Sequence, residues 1–228
     1  MPVSYLLYLA EDEPSLSQVL AAYLTREGWQ VEVFTNGEAA REAIARKPHL
    51  WILDIMLPGV DGYQLIKEIK QHDSAVPVIF ISARDADLDR ILGLEMGSDD
   101  YLPKPFLPRE LVIRSRKLLE RVYRDVGSGQ PPSPLYHMTP YTLDVARRTL
   151  FSQGTPIDLT SKEFDLASLL FSHPGQAFTR EQLLRQIWGE DYFGSDRVVD
   201  DLIRRVRRKL PGLRLETLYG HGYRLVRP

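Results

Sequence analysis

The first 124 residues alternate between short apolar runs and segments with helical periodicity, and this alternation constrains the fold more than any other feature. Each apolar run is predicted as a strand, and each is followed by a predicted helix. A series of strand–helix units favours a parallel sheet with helices on both faces. The predicted strands span residues 5–10, 31–34, 50–53, 76–81 and 100–102, and the helices span 14–27, 37–46, 63–71, 88–94 and 108–123.

The stretch 125–134 divides the chain, because it is rich in glycine and proline and has little that a core could bury. We therefore predict an N-terminal domain over 4–124, a linker over 125–134 and a C-terminal domain over 135–228. The chain has no cysteine, which excludes disulfides and cysteine-ligated metals. It has neither a basic leader nor an apolar run of membrane-spanning length, so we expect a cytoplasmic protein with no membrane partner.

The C-terminal domain begins with strand-like, turn-rich sequence, with a hairpin turn predicted at Gln153-Gly154, and continues with three predicted helices. The motifs Thr160-Ser-Lys-Glu163 and Thr179-Arg-Glu-Gln182 have the form of capping boxes, which begin helices. A third helix is predicted over 196–210, followed by two short strands. Three helices closed by a hairpin are typical of a winged helix-turn-helix. The predicted fold class is therefore α/β, a doubly wound five-stranded parallel sheet followed by a winged helix-turn-helix domain.

Charged side chains follow three of the predicted strands. Glu11 and Asp12 follow the first strand, Asp54 ends the third, and Lys104 follows the fifth. Because the carboxyl ends of parallel strands meet at one edge, we expect these residues to share a crevice. Taken singly, each would more often be a helix cap or a solvated charge, but their common placement favours a site.

The residue types in this crevice indicate a particular chemistry. Carboxylates that repel one another favour a bound cation, and oxygen ligands favour Mg²⁺. A carboxylate can also act as a nucleophile and form an aspartyl phosphate. Asp54 is the best candidate for that role, because it is presented at the end of an apolar strand. Lys104 would then neutralise a phosphoryl oxygen.

Over about residues 4–124, these motifs resemble the receiver domain of response regulators, which has a flavodoxin-like fold. The match includes Asp54 followed by Met-Leu-Pro-Gly, Ser82 in Ile-Ser-Ala, and Lys104 in Lys-Pro-Phe. The resemblance implies that a sensor histidine kinase phosphorylates Asp54. It implies a Mg²⁺ site and a phosphate-dependent switch, as well as a cis peptide after Lys104. Its implied residues are Glu11, Asp12, Asp54 and the Met56 carbonyl for the metal, and Ser82 and an inward-turning Tyr101 for the switch.

The resemblance is closest to the OmpR/PhoB class, whose members dimerise through a charged face. That face comprises the predicted helix over 88–94, the strand over 100–102 and the helix over 108–123. The class implies cross-subunit pairs such as Arg90–Glu110 and Asp100–Arg114, although a solvated charged surface is the simpler interpretation. The residues expected on the face are Arg90, Asp99, Asp100, Glu110, Arg114 and Arg121.

The helix over 196–210 is predicted to bury one face and present arginines on the other. Val199, Ile203, Val206 and Leu210 form an apolar stripe. The arc opposite carries Arg197, Arg204 and Arg208, with Arg205 beside it. A helix of this kind fits the major groove of DNA. The distribution of charge also favours DNA binding by the C-terminal domain. Residues 1–124 carry 15 basic and 19 acidic residues, whereas residues 125–228 carry 14 basic and 12 acidic residues.

Residues 135–228 also resemble the OmpR/PhoB effector domain, through motifs such as Ile203-Arg-Arg-Val-Arg207 and Gly220-His-Gly-Tyr-Arg224. The resemblance implies that Arg204 and Arg205 face bases or nearby phosphates. Tyr219 stands where relatives often have a basic residue before the wing glycine, which leaves minor-groove reading open. The residues implied as contacts to the DNA backbone are Arg197, Arg207, Thr217 and Tyr223.

The leading hypothesis is a phosphorylation-controlled transcription activator, not an enzyme, that binds tandem half-sites in promoter DNA as a homodimer. RNA polymerase is a further candidate partner. Within the class, three sequence runs resemble a regulator of secretion stress, which implies protein quality-control genes as targets. One alternative is a hydrolase that uses Asp54. The other is a phosphate-independent DNA-binding protein with a degenerate receiver.

Overall fold

The computed structural model describes residues 4–82, 93, 96–123, 134–189, 192 and 196–227. The chain divides into two compact units, Met1–Arg124 and Asp125–Pro228. Of the predicted linker, the described residues include Pro134 alone, and of the predicted helix over 88–94 they include Gly93 alone. The linker and that helix therefore stay predictions.

The N-terminal unit is built on a parallel sheet of five strands in the order β2-β1-β3-β4-β5. The central strands β3 and β4 are buried along their whole length, which explains their continuous apolar sequence. The predicted doubly wound sheet is thus confirmed. The strands are β1 (Leu6–Ala10), β2 (Gln30–Phe34), β3 (Leu50–Asp54), β4 (Val78–Ser82) and β5 (Asp100–Pro103).

Helices cover both faces of this sheet, and a separate core lies under each. One core contains Tyr8 and Trp51, and the other contains Leu9 and Leu111. Asn36 caps α2 by accepting a hydrogen bond from the Ala39 amide at 2.8 Å. The helices with described bounds are α1 (Pro14–Thr25), α2 (Gly37–Glu42), α3 (Gly62–His72) and α4 (Pro108–Val122), with a short 3₁₀ turn at Ile44–Arg46 where the prediction continued α2.

The buried face of α1 differs from the predicted one. The periodicity of residues 14–27 predicts one buried face that contains Leu16, Val19, Leu20, Tyr23 and Leu24, whereas Val19 and Tyr23 are 44% and 39% exposed. The buried side chains are Ser17, Leu20 and Leu24. Each residue advances a helix by about 100°, so a face centred on Leu20 and Leu24 leaves Val19 and Tyr23 at its edge.

The described part of the C-terminal unit contains an antiparallel four-stranded sheet, three helices and a three-stranded sheet in the order β10-β12-β11. The predicted winged helix-turn-helix is confirmed, and both capping boxes form. The elements are β6 (Leu135–Met138), β7 (Tyr141–Asp144), β8 (Thr149–Ser152), β9 (Thr155–Ile157), α5 (Ser161–Ser172), β10 (Ala177–Thr179), α6 (Arg180–Trp188), α7 (Arg197–Lys209), β11 (Leu215–Leu218) and β12 (Gly222–Leu225). No helix among the described residues has the length and apolar character needed to cross a membrane.

Candidate phosphoacceptor site and nucleic-acid interface

Three carboxylates meet at the carboxyl edge of the parallel sheet. Glu11 and Asp54 are buried there, and Asp12 is exposed at the mouth of the crevice. Ligand oxygens of all three lie within 4.8 Å of one another. The convergence predicted from the strand ends is therefore present, and β1 and β3 produce it because they are neighbours in the sheet.

Lys104 joins two of these carboxylates from the end of β5. Its Nζ lies 2.6 Å from Asp54 Oδ2 and 2.8 Å from Glu11 Oε2. The backbone fixes this residue, because the Lys104 amide donates to the Ser82 carbonyl at 2.7 Å. The Lys104–Pro105 peptide is cis, as the family resemblance implied.

The charges of this cluster do not balance. Burial raises the pKa of Glu11, as does the Asp54 charge, while the hydrogen bond from Lys104 acts to lower it. Burial acts to lower the pKa of Lys104, but its bonds to Asp54 and Glu11 outweigh that effect and raise it. Among the described residues, one ammonium thus faces three carboxylates, an arrangement that favours an added cation.

The loop after β3 forms a cleft beside Asp54. The Met56 amide donates to Asp54 Oδ1 at 2.9 Å, which orients the carboxylate. A cleft of about 370 Å³ opens next to it and is bordered by Asp12, Met56 and Tyr63. At the start of α3, a Cβ on Gly62 would lie 2.4 Å from the Asp54 carbonyl oxygen, so only glycine fits there without a shift.

The two expected switch residues are both inside the domain. Ser82 ends β4 and is fully buried. Tyr101 on β5 is 2% exposed and belongs to the core that contains Phe80. The hypothesis requires Tyr101 to turn inward after phosphorylation, whereas the ring already has an inward position in the structure.

The residues of the expected dimer face form pairs within the chain. Arg114 donates to Asp100 at 3.0 Å and to Glu110 at 2.7 Å. Burial acts to lower the pKa of Arg114, but Asp100 and Glu110 outweigh it and raise the pKa. The pair Asp100–Arg114 was expected between subunits, and the structure instead shows it within one chain. Arg90 lies outside the described residues.

Asp99 does not fit the expectation of a surface residue on that face. Its side chain is fully buried, and its Oδ2 accepts from the Val78 amide at 3.0 Å and from Lys70 at 3.4 Å. Arg121 lies 3.5 Å from its other oxygen. Asp99 therefore connects β4, α3 and α4 inside the domain, a role that its neighbours in sequence do not indicate.

Helix α7 has the two-sided character predicted for it. The apolar stripe of Val199, Ile203, Val206 and Leu210 is buried. The arginines predicted opposite, Arg197, Arg204 and Arg208, are exposed, and Arg204 pairs with Asp201 at 2.9 Å. This face of the helix is chemically suited to a polyanion.

Arg205 is placed differently from the prediction. Its side chain is 11% exposed and points toward Glu163 of α5, with Nε 3.8 Å from Glu163 Oε1. Glu163 also accepts from Lys209 at 2.7 Å. A buried carboxylate favours a nearby cation, so Arg205 is directed toward the core rather than toward the arginine face.

Three residues predicted to contact the DNA backbone lie against one another in the structure: Arg207, Thr217 and Tyr223. Arg207 donates to Thr217 Oγ1 at 2.8 Å and lies over the Tyr223 ring at 5.7 Å. Tyr223 is only 5% exposed, and its hydroxyl donates to Asp200 Oδ1 at 2.6 Å. The hydroxyl of Tyr223 is thus hydrogen-bonded within the protein, whereas the prediction placed Tyr223 against the DNA backbone.

Two further features of this surface concern the wing. Tyr219 is 94% exposed at the tip of the β11–β12 hairpin, where Gly220 has a φ of 75°. Arg180, the first residue of α6, contacts both Asp200 and Tyr223 and was not predicted as part of the site. The available signal was its place directly after the Thr179 cap of a helix-turn-helix.

Comparison with known proteins agrees with both units. The family model described as response regulator receiver domain matches residues 7–116. The family model described as transcriptional regulatory protein, C terminal, matches residues 154–225. Each match falls on the unit whose fold and site geometry fit that description.

Whole-chain relatives support the same assignment. The transcriptional regulatory protein CssR of Bacillus subtilis is 56% identical, over 98% of this chain and 99% of its own. A solved structure of a RitR mutant has a TM-score of 0.76 at 23% identity, over 99% of this chain and 100% of its own, which shows the fold alone. Response regulator DrrB, a Thermotoga maritima OmpR/PhoB homologue, has a TM-score of 0.52 at 30% identity, over 98% of this chain and 100% of its own. The chain therefore belongs to the OmpR/PhoB class of two-component response regulators.

Proposed function

We propose that Asp54 accepts a phosphoryl group from a partner histidine kinase and that this modification controls DNA binding by the C-terminal unit. The observation that carries the proposal is the shared contact of Lys104 with Asp54 and Glu11 at the carboxyl edge of the sheet. A lone surface aspartate would lack both the paired acid and the lysine.

The chemistry assigns a role to each residue. A bond forms between phosphorus and a carboxylate oxygen of Asp54. The bond from phosphorus to the kinase histidine nitrogen breaks, and that nitrogen keeps the electron pair. Lys104 Nζ, 2.6 Å from Asp54 Oδ2, lies where it can neutralise an oxygen of the incoming group. Ser82, at the end of the adjacent strand, is the proposed hydrogen-bond donor to another oxygen.

We propose Mg²⁺ as the cofactor. The cluster fits it, because its donors are all oxygens, lie within 4.8 Å of one another and carry excess negative charge. Glu11, Asp12, Asp54 and the Met56 carbonyl would hold the ion. When bound, it supplies positive charge that offsets the repulsion between the carboxylates and the phosphoryl oxygens.

We propose that the arginine face of α7, formed by Arg197, Arg204 and Arg208, enters the major groove of promoter DNA. These side chains are exposed on one side of a helix whose other side is buried. Phosphorylated chains would bind tandem half-sites as a homodimer. In this proposal the chain acts in the cytoplasm, is not an enzyme toward other substrates, and regulates protein quality-control genes together with RNA polymerase.

Mass spectrometry after incubation with Mg²⁺ and acetyl phosphate tests the phosphoacceptor. The wild-type chain should gain one labile phosphoryl group, and Asp54→Ala should gain none. Asp73→Asn is a matched control, because that acid lies at the opposite end of α3 and keeps its local hydrogen bonds as an amide. A wild-type chain without an adduct, or an adduct that persists in Asp54→Ala, would falsify the assignment.

Replacement of Arg204 tests the DNA interface. Arg204→Ala should weaken binding to a duplex selected by the wild-type chain from random-sequence DNA by about 1–3 kcal/mol, the range for a base-reading arginine. The measurement is a titration by fluorescence anisotropy on the selected duplex and on random-sequence duplex. An equal loss on both would make Arg204 a phosphate contact, and no loss on either would remove it from the interface.

A further inference from the structure

One carboxylate joins three elements of the C-terminal unit at the proposed DNA interface. Asp200 lies in the first turn of α7, on the helix that carries the exposed arginines. Its Oδ1 accepts from Tyr223 Oη of the hairpin at 2.6 Å and from Arg180 Nε of α6 at 2.8 Å. Charge-assisted hydrogen bonds of this length are among the stronger ones in proteins.

The phenol ring of Tyr223 extends this contact to a second cation. The guanidinium carbons of Arg180 and Arg207 lie 5.3 and 5.7 Å from the ring centre, within the range of cation–π contacts. Arg207 is held further by Thr217 Oγ1 at 2.8 Å and by the Leu215 carbonyl at 2.7 Å. Two arginines from different helices are thus oriented around one tyrosine.

By charge alone, Asp200 is unfavourable at this interface, because a carboxylate close to DNA phosphates is repelled by them. Its side chain is partly exposed at the start of α7, so solvent screens this repulsion only in part. Burial, followed by the hydrogen bond to Asp200, raises the pKa of Tyr223 to about 12, so the phenol stays a donor at neutral pH. The Tyr223 hydroxyl can therefore donate to Asp200 at neutral pH, as the 2.6 Å contact shows.

We propose that Asp200 is a positioning residue of the DNA interface, which aligns Arg180 and Arg207 as phosphate contacts by holding Tyr223 and the start of α6 against α7. The inference rests on the proposed DNA-binding function and adds Arg180 to it. It also assigns Tyr223 an indirect role, because its hydroxyl is used by Asp200.

Asp200→Asn separates a positioning role from a simple effect of charge, because the two change the affinity for DNA in opposite directions. Removing a negative charge near DNA should tighten binding if repulsion is all that matters. Loss of alignment should instead weaken binding to the wild-type-selected duplex about tenfold, as for the loss of a charge-assisted hydrogen bond. Asp196→Asn is the matched control: it removes the same charge at the start of α7, where the structure shows no side-chain cap hydrogen bond, and it should not weaken binding.

The salt dependence of binding provides the second readout. Each phosphate contact contributes about −0.9 to the slope of log K against log salt, so loss of one or two contacts should make the slope shallower by roughly 1–2. Tyr223→Phe should also make the slope shallower, although it removes no charge. A hydroxyl that contacted DNA directly would leave the slope unchanged, because a phenol displaces no counterion.

The outcomes are distinct. Weaker binding by full-length Asp200→Asn with a shallower slope, matched in direction by Tyr223→Phe, supports the proposal. Equal or tighter binding by Asp200→Asn, or an unchanged slope in Tyr223→Phe, overturns it while specific binding by the wild type stands. If circular dichroism shows that Asp200→Asn is unfolded, the slope of Tyr223→Phe decides by itself. Failure of the proposed function would appear in the wild type, as an absence of sequence-specific binding, and would overturn both.

Discussion

At the residue scale, the crevice is governed by how one lysine is shared between two acids. Glu11 is fully buried and Asp54 nearly so, and each would be costly to keep charged without a partner. Lys104 lies within 2.8 Å of both. The same ammonium therefore stabilises the folded domain and occupies the position where a phosphoryl oxygen would need positive charge.

Lys104→Ala should lower the melting temperature in the absence of Mg²⁺, because two close carboxylates lose their cation. Breaking a buried ion pair costs about 3 kcal/mol. Added Mg²⁺ should raise the melting temperature more in the variant than in the wild type, since the ion no longer competes with the lysine. Phosphorylation should nevertheless increase DNA binding less in the variant than in the wild type. Calorimetry with and without Mg²⁺ measures the first effect, and phosphate-dependent DNA binding measures the second.

Lys67→Ala is the control for this pair of measurements. Lys67 is exposed on α3, and its removal deletes the same charge without touching the crevice. It should behave like the wild type in both. An equal Mg²⁺ shift in Lys104→Ala and the wild type would contradict the competition between lysine and ion.

The placement of residues at strand ends could be predicted from the sequence, whereas the contact partners of other charged side chains could not. Asp54 and Lys104 were expected together because parallel strands bring their carboxyl ends to one edge, which is a property of the backbone. Arg205 and Asp99 were misplaced because their partners, Glu163 and Lys70, lie far away in the chain. Periodicity reports which side of a helix a residue occupies, but not which partner a flexible side chain chooses.

At the element scale, the segments with strong local signals were predicted, whereas a short strand without such a signal was missed. The capping boxes at Thr160 and Thr179 mark the helix starts, because the cap hydrogen bonds are local. Strand β10 has three residues and pairs with β12 about 45 positions further along. Its formation depends on that partner, so its own residues carry little signal.

Glu163 links two helices and offers a test at this scale. It completes the cap of α5 by accepting from the Thr160 amide at 2.9 Å, and it also pairs with Lys209 of α7. Glu163→Gln keeps an acceptor for the amide but loses the charge, which removes the anion that Lys209 pairs with. We expect the C-terminal unit to lose roughly 1–3 kcal/mol of its free energy of unfolding. Urea denaturation of the full chain measures this loss.

Glu181→Gln is the matched control for that substitution. Glu181 occupies the first turn of α6, is exposed, and pairs with Arg185 one turn away. A surface pair of this kind contributes about 0.5 kcal/mol or less. If the two substitutions had the same small effect, the link between α5 and α7 through Glu163 would not matter for stability.

At the scale of the whole molecule, charge is divided unequally between the units. Residues 1–124 have a net charge of −4 and residues 125–228 a net charge of +2, so the chain as a whole is slightly acidic. One C-terminal unit thus offers DNA a small positive surplus concentrated on α7. Two such units on adjacent half-sites would bind far more tightly than one, because the second contact becomes intramolecular.

Phosphorylation should therefore double the mass of the protein in solution. The proposed face carries Asp100, Glu110 and Arg114, which already pair within one chain. The Asp100–Arg114 pair is partly exposed, so equivalent pairs formed between two chains can replace it, and a change near Asp54 and β5 can decide which pairs form. Light scattering with acetyl phosphate and Mg²⁺ should show a dimer for the wild type and a monomer for Asp54→Ala.

Arg114→Ala should accept phosphate yet dimerise less, because Asp100 and Glu110 then repel their counterparts. A fully phosphorylated wild type with an unchanged mass would reject dimerisation as the link between Asp54 and DNA.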